Sequence, residues 1–271
     1  MNTHNKNYNR SNMRFIAALI RMKLSKMMTF RLSFFGAFFV DGSMFLIQVL
    51  FYQAIYSKVD SIGGWSTSEM IIFIGTFSLI NALNMMIFFF GTNEIPNKIR
   101  NGDLDHYLTK PVNSLLRLSF ESVDPGSIPL ALASILLVLY GVKQVELEVT
   151  PQRFMAYFII VLLMTLLWYD LQVITRSIPF FTISANNIAR MGDTMLELCL
   201  KVPGTLFKGA FKVIFYFFLP YGIMATYPTE LIVGKLSFPE LIYGCFIVAL
   251  FTAFTLWFWK LGLRHYKSAS S

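Results

Sequence analysis

The sequence predicts an all-α fold: an integral membrane bundle of six transmembrane helices, with short cytoplasmic helices and the N- and C-termini inside. Three observations predict it. Of 271 residues, 55% are hydrophobic and only 14% charged, against about 25% charged in an ordinary soluble domain. Apolar stretches near the roughly 20 residues needed to cross a hydrocarbon core recur along the chain. Basic residues gather on alternate connecting segments. With 28 Phe, 12 Tyr and 14 Met, the apolar side chains exceed what one core of this length hides, and lipid is the solvent that suits them.

The elements follow in order. Residues 1–31 form a basic cytoplasmic or interfacial segment, polar to residue 12 and then carrying Arg14, Arg21, Lys23 and Lys26 among apolar side chains. Two readings stand: a positive flank for the first span, or an interfacial helix along the inner leaflet. The six-span domain covers 32–261, with spans at about 32–56, 70–91, 120–142, 154–175, 210–227 and 241–261, and 262–271 is a cytoplasmic tail. The third span is short in apolar residues (128–142) and draws on the segment before it. The mixed segment 176–212 is read as cytoplasmic, and the fifth span contains Pro220.

Charge orients the bundle. With the N-terminus inside, 19 of the 23 Lys and Arg residues fall on 1–31, 92–120, 176–212 and 260–271, leaving Lys58, Lys143, Arg153 and Lys235 outside. That is the positive-inside pattern of a multi-pass membrane protein. It also excludes nucleic acid as a partner: the basic residues spread along one membrane face, without a compact patch.

Covalent chemistry is missing from the sequence. His4, His106 and His265 belong to no HExxH, and neither GxSxG nor GxxxxGK[ST] occurs, so the chain offers no catalytic residue and no phosphate loop of its own. Cys199 and Cys245 have no metal-ligand spacing, and no metal is expected. Inside the spans, Asp41, Asn81, Asn84, Asp170 and Gln172 are the polar residues that need a reason. A mid-membrane carboxylate costs roughly 2.5–3.5 kcal/mol on insertion scales, so it normally faces a bundle interior, a partner or water. These residues either line a transport path or hydrogen-bond between helices, and both readings stay open.

The stretch "IPNKIRNGDLDHYLTKPV" (95–112) sits between two apolar runs. Its grammar predicts two short helical pieces. Asn93 caps the first, Glu94 lies in its first turn, and Ile95 and Ile99 share a face beside Lys98 and Arg100. Asn101-Gly102 ends it. Asp103 caps the second, which carries Leu104 and Leu108 and stops at Lys110-Pro111. On this pattern the segment is a docking surface or a solvated connector whose leucines fold back on the bilayer.

The positions Ile99, Gly102, Leu104, Asp105, Leu108, Lys110 and Pro111 resemble the pattern I-x-x-G-x-L-D-x-x-L-x-[KR]-P-[LV] found after the second span of ABC-2 family transporter permeases. The resemblance extends over most of the chain, and it implies the permease subunit of an ATP-binding-cassette exporter. ATP and Mg would be bound by a partner ATPase, two copies per complex, so this chain carries no cofactor and is no enzyme. The permease would pair with a second copy or a related permease in a bacterial plasma membrane, surrounded by lipid. The resemblance makes 92–112 the coupling loop, with Ile95, Ile99, Arg100, Gly102, Asp103, Leu104, Asp105, Leu108, Lys110 and Pro111 its ATPase-docking residues. The cargo expected is a hydrophobic or amphipathic compound. An amphipathic helix at 185–209 would steady the bundle or touch the ATPase, and 227–240 would dip into the outer leaflet. An ATPase-independent carrier is the alternative, although no internal repeat between 30–142 and 154–261 supports it. A purely structural membrane subunit is another.

Overall fold

A computed structural model describes residues 31–109, 113–145, 149–182, 190–196 and 202–266; side chains at 31–38, 41 and 44 are not among those described. The basic segment 1–30, the side chain of Asp41, and Lys110 and Pro111 therefore lie outside it. Among the described residues the regular elements are all helical.

Helix α1 (Arg31–Tyr56) leads to a turn at Ile62–Trp65, where the Tyr56 hydroxyl donates to the Trp65 carbonyl at 2.9 Å. Helix α2 (Thr67–Asn84) starts from a complete capping box: Ser66 Oγ accepts the Glu69 N–H, and Glu69 returns a carboxylate oxygen to the Ser66 N–H. Two orphan donors of the first turn are satisfied together. The helix continues through a π turn, Met85–Phe89, and a last turn, Phe90–Asn93. Short helices α3 (Ile95–Arg100), α4 (Asp105–Leu108) and α5 (Ser114–Phe120) follow. A 3-10 turn, Pro125–Ser127, then opens α6 (Ile128–Gln144). The third long helix thus starts later than the expected residue 120. Asp124 caps the 3-10 turn through Gly126 N–H, and Pro125 fixes the entry, so α5 is a separate piece.

Helix α7 (Pro151–Arg176) is the centre of the bundle, packed against α2 and against two later helices, Thr226–Ile232 and Phe238–His265. Among the described residues, the α2–α6 pair makes the most extensive contact. It is close because Gly75 meets Ser134 O and Val138, while Gly141 meets Ile72. Small residues let helices approach in lipid, where dispersion replaces the hydrophobic effect between them.

Helices long and apolar enough to cross a membrane are Thr67–Arg100, Pro125–Gln144, Pro151–Phe180 and Phe238–His265 (α11). A bent pair, Ala210–Phe218 and Tyr221–Ile232, passes the same test only jointly, with a 74° bend. It comprises α8 (Ala210–Val213) with the π turn Ile214–Phe218, then α9 (Tyr221–Met224) and α10 (Thr226–Ile232). Large apolar side chains remain exposed along α1, α6, α7, α8 and α11, among them Phe51, Leu136, Ile159, Phe218 and Trp257. A bilayer is the solvent that makes such faces stable.

The placement of 202–232 bears on the expected order of spans. Phe180 stacks edge-on with Trp259 and packs against Gly262, at the end of the bundle that carries α3 and α4. Thr205, by contrast, accepts the Trp65 indole N–H at 2.9 Å, and Leu206 packs on Gly63, at the opposite end. The chain therefore changes ends between Phe180 and Pro203, and 202–212 is not on the loop side with Arg176. The bent pair starts at the Trp65 end and returns to it: Gly234 lies against Arg153, and Lys235 bridges Glu69 at 2.6 Å. Where one straight span was expected at 210–227, the chain forms a bent pair, a broken span or a re-entrant hairpin. Pro220 sits at the bend, where its ring ends the first arm.

Candidate functional site

The loop end is built on its own apolar cluster: Ile95, Ile99, Leu104 and Tyr107 from the loop, Leu115 and Leu118 from α5, Tyr169 and Val173 from α7, with Phe180 and Trp259. Ile95 and Leu104 are 0% exposed and Ile99 is nearly so. Their side chains face into the chain itself, while Leu108 is 43% exposed. The four apolar residues expected to share one docking role are thus divided three to one.

Local geometry corrects two caps. Asn93 ends the preceding turn, and Glu94 is the boundary residue of α3, with Pro96 in the first turn and no side-chain cap. The chain keeps helical angles through Glu94 (φ −80°, ψ −14°), and its carbonyl already accepts the Lys98 N–H, so no free helix start awaits Asn93. Asp103 does not cap α4 through its side chain either. Its carbonyl takes the His106 N–H, Gly102 O takes that of Asp105, and Leu104 is the boundary residue. Gly102 does end α3, at φ +78°, a backbone angle that favours glycine.

Tyr107 pins the loop to α5. Lys98 Nζ donates to its hydroxyl at 2.6 Å and lies over the ring, and Arg117 stacks on the ring at 4.5 Å. Burial, and then the hydrogen bond and charge of Glu121, push the Tyr107 phenol above its ordinary range against the opposing pull of Lys98. Facing outward are Asn97, Arg100, Asn101, Asp103, His106, Leu108 and Thr109, a mixed polar surface with one large apolar side chain.

Above the loop runs a polar seam. Gln172 Nε2 donates to Asn84 Oδ1 at 3.2 Å, joining α7 to α2 as an interhelical bond. Thr92 lies within 3.4 Å of Gln172 Oε1, and its hydroxyl accepts from Arg176 Nη1 at 2.5 Å. Arg176 is 2% exposed; its other terminal nitrogen reaches Asp193 Oδ2 at 3.4 Å, and its guanidinium stands over Phe89 at 5.1 Å. Asp170 is apart from this chain of contacts: its carboxylate accepts from Thr252 on α11 at 2.6 Å. Asn81 is half-buried and does not join either group. Thr92, Arg176, Asp193 and Thr252 were not singled out by sequence. An Arg and an Asp 17 residues apart, on either side of an apolar stretch, were the only trace of it in the sequence.

A close approach fixes the seam. A Cβ on Gly91 would collide with the carbonyl oxygens of Leu118 and Ser119, so α5 lies directly on the end of the α2 extension. The π turn adds to this: Met86 O, outside the regular helix pattern, accepts the Asp124 N–H at 2.9 Å.

A family model described as ABC-2 family transporter protein matches residues 42–270, nearly the whole bundle including the loop. The chain belongs to the ABC-2 transporter family. It is accordingly a multi-pass transmembrane permease with a role in transport. Neither the curated proteins nor the solved structures return a match.

Proposed function

We propose that this ABC-2 permease is the membrane subunit of an ATP-binding-cassette exporter. A separate ATPase would bind ATP and Mg and dock on the loop between α2 and α5. The observation that carries the reading is the division of that loop. Ile95, Ile99, Leu104 and Tyr107 anchor it in the permease core, while Arg100, Asp103, His106, Leu108 and Thr109 face outward on short helical turns. A connector that merely rested on lipid would not need a buried core of its own. Docking then uses the outward set, and the four buried anchors make the loop rigid enough to transmit force.

Six crossings follow in this reading: α1, α2, α6, α7, one between α7 and α11, and α11. An even number leaves both termini on the loop side, taken as cytoplasmic in a bacterial plasma membrane. Moving Lys208 and Lys212 to the far side leaves at most 17 basic residues inside against six outside, still a positive-inside distribution. Two permease copies, or one with a related chain, would enclose a path for a hydrophobic or amphipathic compound.

The test is co-purification of an ABC ATPase with the chain from its native membranes, comparing the parent with Leu108→Glu. The expected result is loss of the ATPase and of transport with normal membrane insertion. A fully assembled and active Leu108→Glu complex would overturn the docking assignment.

A further inference from the structure

We propose that Arg176 is a positioning residue that passes movement of the α3–α4 loop to the helix at 190–196. This rests on the reading of that loop as the docking element. Three observations meet at Arg176. One end of its guanidinium holds Thr92, three residues before the loop; the other holds Asp193 in the passage between the two bundle ends; and its face covers Phe89 in the π turn. A π turn inside an otherwise regular helix is frequently found at functional sites. Here it lies between the regular part of α2 and the segment that leads into the loop.

The energetic argument favours coupling over simple stabilisation. A buried ion pair contributes little net stability against apolar residues of similar volume. Asp193 is 44% exposed, which weakens its attraction further. What the pair provides is geometry: a planar guanidinium with fixed donors orients two partners at once. Thr92 and Asp193 therefore cannot move independently while both bonds hold. The nearness of Gly192 to Thr175 and Tyr221 places the re-entrant tip within reach of the same movement.

The test uses the full chain in nanodiscs of phosphatidylethanolamine and phosphatidylglycerol. Spin labels are placed at Thr109→Cys and Met191→Cys, in a Cys199→Ser, Cys245→Ser background. The parent gives one narrow distance. Thr92→Val and Asp193→Asn should each broaden it, and the double variant should be no broader than either single, because both arms belong to one relay. With the ATPase bound, transport per ATP hydrolysed should fall about tenfold in each single variant, within the usual range of coupling energies, while hydrolysis and assembly persist. An unchanged distance in both singles, or additive broadening in the double, overturns the relay. Failure of the parent to bind an ATPase overturns the docking reading instead, and the label distances still decide the relay.

Discussion

Leu104 and Leu108 are neighbours on one helical face by sequence, but they should fail in opposite ways. Leu104 is 0% exposed and packed among Ile95, Ile99, Leu115, Leu118 and Trp259. Leu104→Ala deletes its isopropyl group and leaves a cavity in this cluster, at a cost of about 2–5 kcal/mol. Part of that cost falls locally, because the loop's hold on the bundle runs mainly through this cluster. Leu108, 43% exposed, already has much of its surface outside the fold, so Leu108→Ala should cost under about 1 kcal/mol. The assay is paired. Melting of the detergent-purified chain, followed by size-exclusion fluorescence, should drop by several degrees for Leu104→Ala and stay near the parent for Leu108→Ala. Hydrogen exchange should rise across 95–109 only in the former, and ATPase co-purification should weaken in the latter despite its normal stability. If Leu108→Ala melts early, or Leu104→Ala leaves loop exchange unchanged, the division of the loop into anchors and an outward surface is wrong.

Gly91→Ala should destabilise by about 1–3 kcal/mol or prevent expression, because the two carbonyls it would strike belong to backbone and cannot rotate aside; recovery of purified protein measures it. A double-mutant cycle on Asn84→Ala and Gln172→Ala should give a coupling of about 0.6 kcal/mol and no more than about 1.7, the range for hydrogen bonds between membrane helices. A much larger value would mean that the seam carries more than an interhelical bond. Single cysteines at Asn101 and Lys208, in a background without native cysteines, should react with an impermeant maleimide from opposite faces of oriented vesicles. Labelling from one face would overturn the placement of 202–212 at the end opposite the loop.

Most of the architecture was legible in the sequence because apolar length is an additive property. Helices α2, α7 and α11 stand where runs of apolar residues predict them. The order after α7 was not legible, for two physical reasons. Arg190, Asp193, Glu197 and Lys201 interrupt the apolarity of 183–201, and a hydropathy reading counts each charge as fully exposed to lipid. Arg176 partners Asp193 across 17 residues, which such a reading does not register. Conversely, 213–227 is apolar enough to cross, and only the bend at Pro220 and the Trp65–Thr205 contact reveal a return to the same end. At the site, the pairing of Asn84 with Gln172 could be anticipated from their polarity within two spans. The separation of Asp170 onto Thr252 could not, since it depends on how α11 is rotated.

The inward turn of Ile95, Ile99 and Leu104 also bears on how force could cross this protein. Apolar anchors exposed for docking would leave the loop attached to the bundle mainly through its chain ends. An ATPase pulling on it would then extend a connector before moving any helix. With those anchors buried against Leu115, Tyr169 and Trp259, a displacement of the loop meets α5, α7 and α11 at once. Tyr107 reinforces the same joint through Lys98, Arg117 and Glu121. Close-packed side chains transmit displacement because they resist compression. The outward surface can therefore be small and polar, while the stiffness resides inside the permease.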